Sequence, residues 1–248
     1  MLFFALRNKT IGNMRVFDHT CFRLPSDKSV IVPEGVEILE QKTFYGCDEL
    51  KSLTLPMSLR CLMPYSIAYC PRLKSLVVPQ NVECLESGII GCTGLESLRM
   101  HKNNPCFDSR YDCNAIIDSE KLTLVTGCSV SKIPDEVTTI GYESFAECSN
   151  IESVLIPDGV TDIEPLAFFK CYSLREINIP EKVESIGYHA FAGCRNLKCV
   201  ELPASVERIG MGAFYATGIE TLVVPKGMKD KFVEMGLNEF RDNIVERI

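Results

Sequence analysis

Residues 180–197 read PEKVESIGYHAFAGCRNL, and the same pattern recurs along the chain. A proline closes a short aliphatic run at the start of each copy. Successive prolines are 22 or 23 residues apart, with one gap of 55. A fixed period of this length predicts a solenoid, in which each repeat stacks on the next. The prolines that mark the period are Pro33, Pro56, Pro79, Pro134, Pro157, Pro180, Pro203 and Pro225.

Each part of the repeat predicts a local structure. The closing Leu-x-Leu or Ile-x-Ile triplets alternate with period two and are rich in β-branched residues, which predicts strands of a parallel sheet. Proline ends such a strand because it has no N–H to donate to the ladder. The Ala-Phe-x-x-Cys stretch suits one turn of α or 3₁₀ helix, anchored by its Phe. The Phe residues in this frame are Phe44, Phe145, Phe168, Phe191 and Phe214.

The unit Pro-x-x-Val-x-x-Ile-Gly-x-x-Ala-Phe-x-x-Cys-x-x-Leu, clearest from Pro180 to Leu197, resembles the BspA-like leucine-rich repeats of bacterial surface proteins. The resemblance extends from about Val30 to Pro225 and recurs in register seven times. It implies an α/β leucine-rich-repeat solenoid, wound as a right-handed superhelix. It also implies a cell-surface or secreted protein that binds host, matrix or other surface proteins and has no enzymatic activity.

Composition and charge exclude several classes of function. Hydrophobic residues make up 46% of the 248-residue chain and charged residues 24%, as in globular proteins with a real core. The net charge of −7 comes without a basic stripe, so we expect no nucleic-acid partner. No run approaches the roughly 18 apolar residues of a membrane span, so we expect no membrane insertion. The opening Met1–Leu6 is too short for a signal-peptide core, which keeps a cytoplasmic location open.

The chain has 13 cysteines, an odd number. Six of them hold one position of the repeat, which predicts a ladder of small buried residues and not a disulfide framework. Cys61 and Cys84 share a different position, five residues after proline, and are expected side by side on adjacent turns without a bond. The residues of the predicted ladder are Cys47, Cys70, Cys92, Cys148, Cys171 and Cys194.

Residues 102–133 do not fit the repeat. Asn114–Ile117 and Leu122–Thr126 are apolar runs on either side of a polar turn, which predicts a β-hairpin insertion. Cys113 and Cys128 flank this hairpin. Their positions would allow a disulfide, but two reduced, packed thiols are the favoured interpretation.

A zinc site is a further interpretation of the insertion. His101, Cys106, Cys113 and Cys128 provide four residues of the right type, but their spacing lacks the short Cys-x-x-Cys pairs of structural zinc sites. We therefore predict neither a metal nor a cofactor.

Both ends of the chain are expected to cap the solenoid. Lys226–Met235 can form an amphipathic helix ended by Gly236, and Asn243–Ile248 can add a last strand. The whole chain is then one domain and a monomer. Its parts are an N-terminal cap (1–29), repeats (30–101), the hairpin insertion (102–133), repeats (134–225) and a C-terminal cap (226–248).

Motifs for catalysis are missing from the sequence. His19, His101 and His189 lie in no nucleophile motif, and there is no Walker loop or dinucleotide fingerprint. His189 is interpreted as an exposed residue at a helix start. Asp162 and Glu164 fall at variable positions of the repeats and are interpreted as a solvated face. The chain is not predicted to be an enzyme.

The predicted strands display one row of outward side chains across the stacked turns, and this row is the candidate binding face. It is mixed in character, with no aromatic or arginine cluster of the kind that dominates binding energy. We predict a protein-binding or adhesion module, with a glycan as a further ligand class and an intracellular structural scaffold as the alternative. The row consists of Thr54, Val77, Arg99, Leu155, Asn178, Glu201 and Val223.

Overall fold

The computed structural model describes residues 10–11, 14–19, 28–85 and 87–247. These residues divide into two compact units. Unit 1 contains the described residues up to Glu120 together with Val125–Ser131, and unit 2 contains Lys121–Leu124 and the described residues from Lys132 onward. Each unit is a stack of turns built from short parallel strands, and the predicted leucine-rich-repeat solenoid is confirmed.

Unit 1 places three sets of short strands around a common core. The first side contains the parallel pairs β3–β6 and β9–β11. The second side contains the parallel strands β2, β4 and β7, and the third side contains the parallel strands β5, β8 and β10. The strands are β1 (Thr10–Ile11), β2 (Met14–Phe17), β3 (Ser29–Ile31), β4 (Ile38–Leu39), β5 (Phe44–Tyr45), β6 (Ser52–Thr54), β7 (Cys61–Leu62), β8 (Ile67–Ala68), β9 (Ser75–Val78), β10 (Ile89–Ile90), β11 (Ser97–Met100), β12 (Phe107–Asp108) and β13 (Ile116–Asp118).

Unit 2 repeats two of these sides. One side consists of consecutive parallel neighbours in the order β14, β15, β17, β19 and β21. The other side consists of the parallel pair β16 and β18, followed by the parallel strands β20, β22 and β23. The last two residues of β14 belong to unit 1. The strands are β14 (Thr123–Thr126), β15 (Thr139–Ile140), β16 (Ser153–Val154), β17 (Asp162–Ile163), β18 (Glu176–Ile177), β19 (Ser185–Ile186), β20 (Cys199–Glu201), β21 (Arg208–Ile209), β22 (Thr221–Val224) and β23 (Ile244–Glu246).

A column of phenylalanines runs through the core of unit 2. Phe145, Phe168, Phe191 and Phe214 are at most 1% exposed. Their rings stack nearly parallel, with centroids 5.2 to 5.3 Å apart between adjacent turns. Each ring therefore covers a face of the next, and the repeat period of the sequence becomes a continuous stack.

The segment around each Phe forms turns and short strands, where the sequence predicts a helical turn. The residue two before and the residue two after the Phe position both have positive φ, as in His189 (φ 53°) and Gly193 (φ 80°) around Phe191. Left-handed residues on both sides interrupt a right-handed helical turn. Their N–H groups instead donate to the next turn, as Gly193 N does to Tyr215 O at 2.8 Å. Stacking between turns thus replaces hydrogen bonding within a helix.

The insertion contains the predicted hairpin and one more strand. β13 and β14 are consecutive neighbours in one sheet, and β12 pairs antiparallel with β13. Asn104 anchors its start: the side-chain amide donates to Gln80 O (3.0 Å) and Val82 O (2.8 Å), and its Oδ1 accepts from Phe107 N (2.8 Å). Ser109 joins its middle, because its hydroxyl accepts from Met100 N and donates to Ala115 O.

Within the described residues, helices occur in the insertion and in the C-terminal cap. They are the 3₁₀ turns Arg110–Asp112 and Asn238–Phe240 and the helix α1, Lys229–Glu234. The predicted cap is confirmed, with α1 shorter than Lys226–Met235 and β23 as its last strand. Phe232 of α1 is fully buried, and Phe240 packs edge-on against Phe214 at 6.4 Å. In the part of the chain that the structure describes, every helix is too short or too polar to pass through a membrane.

Truncating one ring of the phenylalanine column tests this account of the core. We expect Phe168→Ala to lower the free energy of unfolding by about 3 to 5 kcal/mol in a urea titration. The rings of Phe145 and Phe191 would each lose the neighbour that covers one of their faces. Phe169→Ala, which removes the adjacent and more exposed ring, is the matched control. A loss below about 1 kcal/mol for Phe168→Ala, the typical cost of an ordinary substitution, would contradict a stacked core.

Candidate binding surfaces

The predicted row lies on one side of the sheet in unit 1. Ile31 pairs with Thr54, and Val77 pairs with Arg99, while β6 lies next to β9. Ile31 and Val77 are 66% and 53% exposed, and Thr54 and Arg99 are exposed as well. Ile31 was not predicted as part of the row, because it stands in the first repeat beside the cap, although it precedes Pro33 as Thr54 precedes Pro56.

The row continues by the same rule in unit 2. Glu201 pairs with Val223, and Val223 pairs with Val245 of the cap strand β23. Leu155 and Asn178 directly follow the paired residues of β16 and β18. Leu155 is the most exposed of the row at 79%, and Val245, which the sequence analysis missed, is 53% exposed. We call either part, taken within its own unit, the sheet row.

The polar members of the sheet row are engaged within their own unit. Arg99 forms an ion pair with Asp112 of the insertion at 2.6 Å. Glu201 pairs with Arg247 at 2.5 Å. The Asn178 amide accepts from Ile156 N (2.7 Å) and donates to Ile156 O (2.8 Å), so it links two turns. The side chains left to contact a partner are mainly aliphatic: Ile31, Thr54, Val77, Leu155, Val223 and Val245.

A second exposed apolar surface lies on the turns of unit 2. One column stands three residues before the buried Phe of each turn, and a second stands one residue after it. Their large members are exposed by 49% (Tyr142), 43% (Tyr188), 78% (Met211) and 58% (Tyr215). We call this the turn surface and define it by Tyr142, Phe169, Tyr188, His189, Met211 and Tyr215.

His189 lies inside the turn surface. Its ring stacks on Tyr188 at 3.9 Å and lies 6.0 Å from Tyr215 and 6.5 Å from Phe169, all within 14° of parallel. The prediction of an exposed helix-start residue is therefore wrong, because the residue is half-buried and has a left-handed φ of 53°. Stacking covers ring faces and leaves ring edges toward solvent. The signal in the sequence is one further aromatic residue beside the buried Phe of each turn: Tyr142 and Tyr188 three residues before it, and Phe169 and Tyr215 one residue after it.

The other residues considered for chemistry are not brought together. Among residues 10–11, 14–19, 28–85 and 87–247, no three His, Cys, Asp or Glu side chains could share a metal ion. Cys113 and Cys128 are separate thiols that donate to Ala115 O and Asn114 O, each at 3.4 Å. His101 Nδ1 accepts from Asn103 N at 3.3 Å.

The acidic residues Asp162 and Glu164 are also engaged locally. The Thr161 hydroxyl donates to the Asp162 carboxylate at 2.7 Å, and Glu164 accepts from Tyr142 N at 2.7 Å. Each carboxylate thus fixes the backbone or a side chain of its own unit, and neither faces the other across a cleft.

The cysteine ladder has a structural task. Four buried thiols of the ladder donate to the carbonyl of the Phe or Ile in the preceding turn, as Cys171 does to Phe145 O at 3.1 Å. A Cys is small enough for this position and supplies the donor that the carbonyl needs. The equivalent pairs are Cys70 with Phe44 O (3.1 Å), Cys92 with Ile67 O (3.6 Å) and Cys194 with Phe168 O (3.2 Å).

Burial also sets the acidity of these thiols. It raises the pKa of Cys171 well above its ordinary value of 9.0 and raises the pKa of Cys194 to about 12. Such thiols stay protonated and unreactive in the folded protein.

Similarity to known proteins follows the repeat. Six copies of the BspA-type leucine-rich repeat region match residues 15–111 and 124–232. A leucine-rich cell surface protein from Faecalibacterium prausnitzii has a similar fold, with a TM-score of 0.66 and 23% identity over 79% of this chain and 53% of that one. The pneumococcal vaccine antigen PcpA gives a TM-score of 0.67 and 23% identity over 79% and 50%. The chain thus spans about half the length of these proteins. No curated protein matches it in sequence.

The raised thiol pKa values predict a pH dependence of stability. Below about pH 9 the thiol of Cys194 is protonated in both the folded and the unfolded state. Between about pH 9 and about 12 the thiol ionises in the unfolded state alone. The contribution of Cys194 to the free energy of unfolding therefore falls by roughly 1.4 kcal/mol per pH unit as the pH rises.

Urea titrations over this pH range, on the protein and on Cys194→Ser, measure the effect. The serine cannot ionise, so the variant should lose less stability as the pH rises. Cys199→Ser, on an exposed strand position, is the control and should follow the unsubstituted protein. Parallel pH curves for all three proteins would contradict the burial of Cys194.

Proposed function

Because the chain belongs to the BspA-type leucine-rich-repeat family, we propose that it is a non-enzymatic protein-binding module of a bacterial cell-surface protein that acts in adhesion. The family is built from repeats that present a surface, and such repeats bind proteins. The similar solved structures include a cell surface protein and a vaccine antigen, at an identity that carries the fold alone.

The observation that carries the proposal is the aliphatic part of the sheet row. Ile31, Val77 and Leu155 expose more than half of their side-chain surface at a position where a purely solvated sheet face would carry polar residues. The polar members of the same row are already engaged in ion pairs or turn-to-turn hydrogen bonds. A partner that covers the row would therefore gain apolar burial without stripping water from unpaired charges.

The chemistry of the exposed side chains favours a protein over a glycan as the partner. Sugars stack on the open faces of aromatic rings, whereas the side chains that the sheet row leaves open to a partner are aliphatic. Flat aliphatic rows and exposed Tyr and Met side chains are typical of protein interfaces.

An intracellular scaffold is the second candidate, and the cysteines are the observation that favours it. Cys106 and Cys199 are exposed thiols in the structure, and neither pairs with another cysteine. Thiols of this kind persist most readily in a reducing compartment. A signal peptide or surface anchor encoded upstream or downstream in the full gene would reject this candidate.

Binding to an array of purified matrix proteins and glycans tests the proposed function. Val77→Asp and Leu155→Asp place a charge in the sheet row, and we expect each to weaken binding to a matrix protein at least tenfold, the effect of about 1.4 kcal/mol. Arg99→Ala and Glu201→Ala should have smaller effects, because both side chains are engaged within the molecule.

Met211→Asp is the matched control, because it places the same charge on an exposed residue of the turn surface. Loss of binding in Met211→Asp with full binding in Val77→Asp and Leu155→Asp would assign the contact to the turn surface instead. Binding to glycans alone, or to no component of the array, would contradict a protein-binding adhesion module.

A further inference from the structure

Cys61 and Cys84 lie side by side on adjacent turns of unit 1. They form a parallel bridge between β7 and the following turn, and Leu62 N donates to Cys84 O at 2.9 Å across it. Burial and the neighbouring Cys84 thiol both raise the pKa of Cys61, so the two side chains are close enough to interact. Both residues are half-buried, so neither is sealed in the core.

This pair differs from the cysteine ladder in access. Cys70 and Cys92 also contact neighbouring thiols, but they are 0% and 5% exposed and donate to backbone carbonyls of the core. Cys61 and Cys84 stand at the outer position of a sheet edge, beside the exposed ion pair of Arg60 and Glu83. In the described part of unit 1, they are paired across adjacent turns and neither residue is fully buried.

We propose that Cys61 and Cys84 form a redox-active dithiol, a modification site that takes small-molecule disulfides as its oxidant. One thiolate attacks a sulfur atom of the disulfide R–S–S–R, which breaks the S–S bond, forms a protein mixed disulfide and releases R–S⁻. The second thiol, as its thiolate, then attacks the protein sulfur of the mixed disulfide and releases the second R–S⁻. Two cysteine thiols are oxidised, one small disulfide is reduced to two thiols, and the two protons go to the released thiolates.

The strand geometry permits the bond and makes it reversible. Paired residues of neighbouring strands have Cα atoms about 4.8 Å apart, inside the range of about 4.4 to 6.8 Å found in disulfides. Disulfides prefer a Cβ separation near 3.8 Å, which is shorter than this strand spacing, so the bond would have to draw the two turns together. A bond formed under this constraint is readily reduced, as in regulatory and not in structural disulfides.

The bond would clamp two successive turns across a loop of 23 residues. Cys61 and Cys84 continue the side of β2, β4 and β7, away from the strands β3, β6, β9 and β11 that carry the sheet row. Oxidation would therefore stiffen unit 1 without covering the sheet row. The site is independent of the proposed binding function.

The test is incubation of the native protein with glutathione disulfide, followed by thiol titration in denaturant and peptide mass mapping. We expect a crosslinked peptide that joins Cys61 to Cys84 and no glutathione on either residue, whereas the exposed Cys106 and Cys199, which have no neighbouring cysteine in the described structure to resolve a mixed disulfide, should each retain glutathione. Dithiothreitol should restore both thiols. A protein that loses no thiols, retains glutathione at either site, or links other cysteines would overturn the proposal.

Single serine variants separate the two steps of the exchange. Cys61→Ser leaves no second thiol to resolve the mixed disulfide, so it should retain one glutathione on Cys84, and Cys84→Ser should retain one on Cys61. Cys47→Ser, which removes a half-buried ladder thiol of the same unit, is the matched control and should still form the Cys61–Cys84 link. Circular dichroism confirms that each variant is folded before oxidation, and an unchanged crosslink in Cys61→Ser would contradict the assignment.

Discussion

The stacking of one turn on the next is the interaction on which the rest of the structure depends. A single repeat of about 23 residues has an apolar side and unpaired backbone groups that it cannot cover by itself. In unit 2 the Phe rings cover one another at 5.2 to 5.3 Å, and the backbone N–H groups of each turn donate to the next turn. The thiols of Cys171 and Cys194 add to this arrangement, because each one supplies a donor to the preceding turn.

The same constraint explains the unusual backbone of the turns. Left-handed residues cost free energy for every side chain except glycine, yet Leu166 and His189 adopt φ values of 61° and 53°. Each orients a peptide group toward the neighbouring turn, as Leu166 N does toward Tyr188 O at 2.9 Å. The cost of the conformation is offset by hydrogen bonds and ring stacking that only a stacked neighbour can provide.

This dependence on neighbours also determines what the sequence could predict. The strands, the cysteine ladder, the hairpin and the cap follow from residues that recur at a fixed period or break it, and periodicity is visible in one sequence. The conformation around Phe191 is not visible in one sequence, because the pattern Ala-Phe-x-x-Cys suits a helical turn and also a turn that is fixed by its neighbours. The half-buried position of His189 could not be predicted for the same reason, because Phe169 and Tyr215, between which its ring lies, belong to other repeats.

The seven residues predicted for the binding face lie where the register of the strands requires, and their role stays a prediction. The sequence could not show that the side-chain oxygen and nitrogen of Asn178 both form hydrogen bonds with the backbone of Ile156. Nor could it show that Glu201 forms an ion pair with Arg247, 46 residues further along the chain. Such partners depend on which side chains the stacking brings into reach.

Outward positions matter for function because the repeat leaves them open. A residue that serves the stack, such as Asn178, is explained by the fold and says nothing about a ligand. Leu155 and Met211 serve no such purpose: they are 79% and 78% exposed and add apolar surface that the stack does not need. Large apolar side chains of this kind lower solubility unless a partner covers them. The departures from a polar outer surface are therefore the part of this chain that stacking does not explain, and they are where selection for binding would act.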